Sequence, residues 1–182
     1  MELIDFLGFS CTLIYLYFVM RQERQAWYWS IAGSIFIAYS CITNQLYIQG
    51  ILYLFYVGIA FIGLSKWRVG SSNVIQVSRM KLYDHLIFLS TSLLLGLLLG
   101  YLFDHFTEQQ LPYLDGVISI TAVGCTLLVV SKFHENWLYW MGINASSVYL
   151  YASQNLMVFT TMSILLFVVA WRGYMVWKNP SN

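Results

Sequence analysis

The chain has 182 residues, of which 59% are hydrophobic, 18% aromatic and only 9% charged. A soluble domain carries about 25% charged residues and cannot cover its surface with so few, and the same apolar content excludes disorder. A formal net charge of +1 without a basic patch excludes a nucleic-acid binder, which leaves an integral membrane protein.

The N-terminus, Met1-Glu2-Leu3-Ile4-Asp5, lacks the basic region of a signal peptide. The first apolar stretch is therefore expected to be a retained helix. A spanning helix needs about 20 mostly apolar residues. Seven stretches meet or approach this: Leu3 to Met20, Ala26 to Thr43, Leu46 to Trp67, His85 to Phe103, Gly116 to Ser131, Trp137 to Ser153 and Leu156 to Trp177. Very short turns at Asn44-Gln45 and Gln154-Asn155 join the second stretch to the third and the sixth to the seventh. The alternation of membrane barrel strands is absent. Cys11, Cys41 and Cys125 sit within apolar runs with no C-x-x-C spacing. They read as buried small hydrophobes, with neither a disulfide nor a metal site.

Seven spans place Arg21, Arg24, Lys66, Arg68, Arg79, Lys81, Lys132, Arg172 and Lys178 on one side or at its membrane edge. The other side holds Glu2, Asp5, Asp104, Glu108 and Asp115. Positive loops stay cytoplasmic, so the N-terminus is expected outside and the C-terminus inside. One helix more or fewer would scramble this separation.

Shifted by 110 positions, the chain matches itself without gaps. Asp5 falls on Asp115, Val19 on Val129, Trp27 on Trp137, Tyr39 on Tyr149, Leu46 on Leu156, Ala60 on Ala170, Gly63 on Gly173 and Trp67 on Trp177. The expected fold is all-α and integral to the membrane. Seven transmembrane helices form two parallel three-helix repeats joined by helix 4, a 3+1+3 arrangement similar to that of SWEET-type transporters. The corresponding segments are residues 1–68, 69–110 and 111–182. In the fourth stretch, Ser92-x-x-x-Gly96-x-x-x-Gly100 offers a small-residue face. Two uses are open: packing on a repeat of the same chain, or contact with a second copy in a homo-oligomer.

Catalysis has little to work with. His85, His105 and His134 lie near membrane edges, and no H-E-x-x-H, G-x-S-x-G or intramembrane carboxylate pair occurs. No enzyme activity and no cofactor is expected. The sixth stretch carries the richest pattern. Trp137, Trp140, Asn144, Ser147 and Tyr151 recur every three or four residues and share a helical face. Such a face can stack and hydrogen-bond a planar, nucleoside-sized ligand. The competing reading makes the Trp residues an interfacial belt and Asn144 a tie between helices. Ser30 and Ser34 occupy the repeat-related face, Gln49, Tyr53 and Tyr56 recur at helical spacing in the third stretch, and Ser163 lies in the seventh. No Lys or Arg lies at mid-depth to replace the water of a phosphate. No Asp or Glu lies there to relay protons or sodium. These absences favour an unphosphorylated substrate and facilitated diffusion. Aromatic faces also attract cationic rings.

The segment from Glu135-Asn136-Trp137 through Trp140 to Asn144 resembles the ENWxxWxxxN motif of PnuC-type vitamin transporters. Leu46-Tyr47, Gly63 with Trp67, Asp115, and Gly173-x-x-x-Trp177 resemble further motifs of that family, over residues 3 to 178. The resemblance implies a SWEET-like fold and facilitated uptake of nicotinamide riboside, or of thiamine, riboflavin or another nucleoside in sister members. It implies trapping by a cytosolic kinase, and substrate contact at Trp137, Trp140 and Asn144. The chain departs from the pattern in four places. Tyr53 stands for a Gln, Ala60 for an Asn, Gly33-Ser34 for a helix 2 Asn, and Gly63-Leu64-Ser65-Lys66-Trp67 for GWYxW. A non-transporting receptor or assembly subunit is the reading from another class.

Overall fold

The computed structural model describes residues 2–43, 47–67, 76–107 and 110–178, with backbone alone at 2 and 47–49. Among them the chain forms seven α-helices and no strand. They are α1 (Glu2–Met20), α2 (Ala26–Thr43), α3 (Tyr47–Lys66), α4 (Leu82–Phe106), α5 (Pro112–Val130), α6 (Asn136–Ser153) and α7 (Met157–Lys178). Each expected span has its helix, with boundaries moved by a few residues. The Asn44-Gln45 turn lies outside the described residues. By length and composition, four helices among the described residues are apolar enough to cross a membrane: α1 from Leu3, α4, α5 and α7. The α2 and α6 helices are diluted by Ser, Asn, Trp and Tyr. Long apolar side chains cover the outside of α4, where Leu86, Leu93, Leu94, Leu97 and Leu98 are all exposed. A surface of that kind is stable against lipid rather than water.

The chain divides into two compact units, residues 1–76 and 77–182. In the first, α2 packs against α1 and α3; in the second, α4 packs on α5, α5 on α6 and α6 on α7. The small-residue face of α4 is used within the chain. A Cβ on Gly96 would lie 2.5 Å from the Val117 Cα, and one on Gly100 2.5 Å from the Tyr113 Cα. The backbones of α4 and α5 therefore touch, as small residues four apart permit.

The 110-residue repeat is visible in individual bonds. The α1 helix ends in a Schellman motif, with Gln22 N–H donating to Val19 O at 2.9 Å and Glu23 N–H to Phe18 O at 2.9 Å. The α5 helix ends identically, with Lys132 N–H to Val129 O at 2.9 Å and Phe133 N–H to Leu128 O at 3.0 Å. Both motifs put a non-glycine residue in the left-handed region, Gln22 at φ 57° and Lys132 at φ 52°. Past the turn, Arg24 Nε–H donates to Leu64 O at 3.1 Å, and His134 Nε2 bonds Tyr174 O at 3.1 Å. A carbonyl only accepts, so His134 carries its proton on Nε2. The next helix then opens with a buried Trp. The Trp27 ring stands edge-on to Trp67 at 5.2 Å, and Trp137 edge-on to Trp177 at 5.5 Å. Each first Trp lies on a glycine: a Cβ at Gly63 would run into the Trp27 ring, and one at Gly173 into Trp137.

The second unit has an addition. The segment before α4 lies along the α5–α6 turn. Ser78 N–H donates to Lys132 O at 3.1 Å, His134 N–H to Ser78 O at 2.9 Å, and Met80 N–H to Glu135 Oε2 at 3.0 Å. Lys132 is buried beneath this strap, which lowers its pKa from the ordinary lysine value.

Two predictions follow from this packing. Gly173→Ala and Gly63→Ala each lower stability by about 1–3 kcal/mol, the cost of overpacking, read by thermal unfolding in detergent. Gln22→Gly raises it by about 1 kcal/mol, because glycine meets no steric cost in the left-handed region; an unchanged or lower midpoint would contradict the cap assignment.

Candidate functional site

The α6 helix is positioned at both ends by backbone geometry. At its start, the buried Asn136 donates Nδ2–H to Phe133 O at 2.6 Å and anchors the first turn to the α5–α6 loop. At its end, Leu156 N–H bonds Tyr151 O at 2.9 Å and Asn155 N–H bonds Ala152 O at 3.1 Å. This is a third Schellman motif, with Asn155 at φ 59°. Asn tolerates that conformation, so the short Gln154-Asn155 turn returns the chain directly into α7.

Between these anchors lies the stripe that the sequence singles out. Trp137 is 1% exposed and sealed by Trp177 and Gly173. It packs inside its own helix pair rather than in an interfacial belt. Trp140 and Tyr151 are half-buried, while Asn144 and Ser147 are buried between them. Asn144 Nδ2–H donates to Trp140 O at 2.7 Å, one turn back on its own helix. That donor ties no second helix. Asn144 Oδ1 and Ser147 Oγ carry no hydrogen bond among the described residues. The face thus presents two unused polar atoms one turn apart, flanked by two aromatic rings. The Tyr151 ring also meets Phe159 at 5.5 Å, which supports the C-terminal end of the stripe.

The α7 helix contributes less. Ser163 is buried, but its hydroxyl donates to Phe159 O at 2.9 Å within the helix. An apolar crevice of about 270 Å³ lies between α6 and α7, walled by Ala145, Val148, Ile164 and Phe167. In the first unit, Ser30 is half-buried and Ser34 buried on α2. On α3, Tyr53 and Tyr56 meet edge-on at 5.9 Å. The side chain of Gln49 lies outside the described residues. No cluster of three or more His, Cys, Asp or Glu able to hold a metal occurs among the described residues. The structure brings Trp137, Trp140, Asn144, Ser147 and Tyr151 together on α6. It also reveals bonds not foreseen in the sequence, those of Arg24, His134, Glu135 and the pair His85 and Tyr139. The 110-residue shift pairs Arg24 with His134 and would have found that equivalence.

Seven helices, several of them apolar enough to span a bilayer, with a polar-aromatic face on α6, define a multi-pass membrane protein. The family model described as nicotinamide mononucleotide transporter matches residues 2–179, and the chain belongs to that family. A solved structure titled as the crystal structure of the vitamin B3 transporter PnuC superposes with a TM-score of 0.76 at 19% identity, covering 97% of this chain and 81% of that one. It shares the fold. Several curated relatives carry the name nicotinamide riboside transporter PnuC, three of which follow. That of Escherichia coli K12 is 30% identical over 39% of this chain and 30% of its own length. That of Neisseria mucosa is 22% identical over 74% of this chain and 54% of its own. That of Haemophilus influenzae is 28% identical over 56% of this chain and 46% of its own. The matched segments thus span about half of these relatives or less.

Packing and ligand roles on α6 separate by stability. Trp137→Ala removes a fully enclosed ring and costs about 3–5 kcal/mol. Asn144→Ala removes one intrahelical bond and costs about 1 kcal/mol or less. A large loss of unfolding midpoint in Asn144→Ala would show that this side chain is structural.

Proposed function

We propose that this protein carries nicotinamide riboside, an unphosphorylated B-vitamin nucleoside, across the membrane by facilitated diffusion. The observation that carries the reading is the buried α6 face, where Asn144 Oδ1 and Ser147 Oγ are left unused between Trp140 and Tyr151. Polar side chains within a membrane span are costly unless something bonds them. A ribose hydroxyl or a carboxamide supplies that bond, and Trp140 stacks the cationic pyridinium ring. The names of the curated relatives support this substrate. The family description names the mononucleotide, but its phosphate needs cations to replace lost water. Arg172, the cation nearest the middle of the α7 sequence, is exposed.

The candidate contacts are Trp140, Asn144, Ser147, Tyr151 and Ser163 in the second unit, and Ser30, Ser34, Gln49, Tyr53 and Tyr56 in the first; Trp137, enclosed by Gly173 and Trp177, supports the face instead of touching the ligand. Residues 1–68 and 111–182 are two copies of one repeat, with 69–110 between them. The clustering of Lys and Arg supports an external N-terminus and a cytoplasmic C-terminus in a bacterial plasma membrane. Uptake without ion coupling accumulates substrate only through trapping, the task of a cytosolic kinase. The protein itself performs no chemistry in this reading.

Quenching of intrinsic Trp fluorescence by nicotinamide riboside, its mononucleotide, thiamine and riboflavin tests the assignment. The expected result is saturable quenching by nicotinamide riboside, with the mononucleotide at least about tenfold weaker, the equivalent of roughly 1.4 kcal/mol. Preferred quenching by thiamine or riboflavin would mean that Tyr53 and Ala60 mark a different substrate. Trp140→Leu weakens a cationic ring more than a neutral one, and equal losses would sink the cation–π argument. Counterflow of radiolabel in proteoliposomes separates transport from binding by a receptor.

A further inference from the structure

The contacts that fix α6 come from an unexpected quarter. α6 packs along its length on α5 and α7, yet one side chain reaches past α5 to α4. Tyr139 OH lies 2.6 Å from His85 Nδ1, and its ring lies 4.4 Å from Phe88, one turn further along α4. Gly124 of α5 leaves the room for this: a Cβ there would lie 2.6 Å from Phe88 Cε2. One turn before Tyr139, the carboxylate of Glu135 holds Met80 N–H just ahead of α4. The Ser78 bridge completes a row of attachments between the start of α4 and the start of α6. The first repeat does not repeat this row. At the position of Tyr139 it has Trp29, 37% exposed, and at the position of Glu135 it has Gln25, also exposed.

We propose that His85 and Tyr139 are positioning residues for the substrate face, their hydrogen bond locking the rotation of α6 to α4 so that the two helices move as one block. Tyr139 directly precedes Trp140. A rotation of α6 that breaks the bond also turns Trp140, Asn144 and Ser147 away from their setting. The functional consequence rests on the proposed substrate face; the latch itself does not.

The test uses the 182-residue chain in detergent with four variants: Tyr139→Phe, His85→Ala, the double variant, and His85→Asn, which keeps a polar atom near the Nδ1 position. Tyr139→Phe keeps the ring on Phe88 and removes only the hydroxyl. Hydrogen–deuterium exchange over residues 138–148 is expected to rise about two- to tenfold in Tyr139→Phe and in His85→Ala, the equivalent of one hydrogen bond. The double variant exceeds neither single one, His85→Asn stays near wild type, and residues 2–43 are unaffected. The dissociation constant for nicotinamide riboside rises by a similar factor in the variants whose exchange rises. Unchanged exchange in Tyr139→Phe, or effects that add in the double variant, would overturn the latch. Raised exchange with unchanged affinity would overturn the positioning role. If wild type binds no nicotinamide riboside, the substrate assignment falls while the exchange pattern still decides the latch.

Discussion

Everything in this fold hangs on a tryptophan lying on a glycine. Lipid tails are as apolar as leucine, so the hydrophobic effect that compacts a soluble domain does not hold membrane helices together. What remains is close contact, each atom pair contributing only about 0.1–0.2 kcal/mol. A large flat ring set against bare backbone gathers many such pairs at once. Trp27 on Gly63 closes α2 against α3, and Trp137 on Gly173 closes α6 against α7. Trp67 and Trp177 stand edge-on behind them. The contact is strong enough to tolerate a defect, because the indole Nε1 of both Trp27 and Trp137 is buried without a hydrogen-bond partner among the described residues. An unsatisfied donor costs about 1–3 kcal/mol. The same defect at positions 110 residues apart marks it as part of one packing solution used twice.

The number and limits of the helices were legible because apolar runs and their breaks are directly visible in the residues. The repeat was legible from rare residues, the Trp and Gly pairs. Its bonds were less so. Arg24 and His134 do one task, holding a carbonyl near the end of α3 or α7, with different side chains. Identity at that position is lost while function is kept. The left-handed turns were hidden for the same reason: Gln22 and Lys132 stand where glycine is usual, and no local signal announces them. Tyr139 read as one aromatic among many, since its partner His85 lies 54 residues away. The polar-aromatic face of α6 was visible from its spacing. Which of its atoms already have partners was not, because a bond such as that of Asn144 to its own backbone depends on rotamer rather than sequence.

The two repeats have diverged where a ligand would be read. Their ends are built alike, through the Schellman turns, the carbonyl-holding cation or imidazole, and the Trp–Gly contact. The middles differ. The α2 helix presents Ser34 and small neighbours where α6 presents Trp140, Asn144, Ser147 and Tyr151. Among the described residues, the second unit alone adds a further helix, α4, with its strap across the α5–α6 turn. The unit that carries the more elaborate polar face thus also carries the more elaborate brace. Buried amides and hydroxyls make a helix less content in lipid, and extra anchoring offsets that.

The Gln154-Asn155 turn bears on how the protein is made. The α6 helix, with Asn136, Asn144 and three serines, is a poor candidate to leave the translocation channel for lipid by itself. The α7 helix, after only Gln154, Asn155 and Leu156, is apolar enough to do so. A turn this tight presents the two to the membrane together, as one hairpin whose apolar arm draws in the polar one. The α6 helix then packs on α7 before it meets lipid. The shortness of one loop thereby sets how polar a spanning helix the chain is free to evolve.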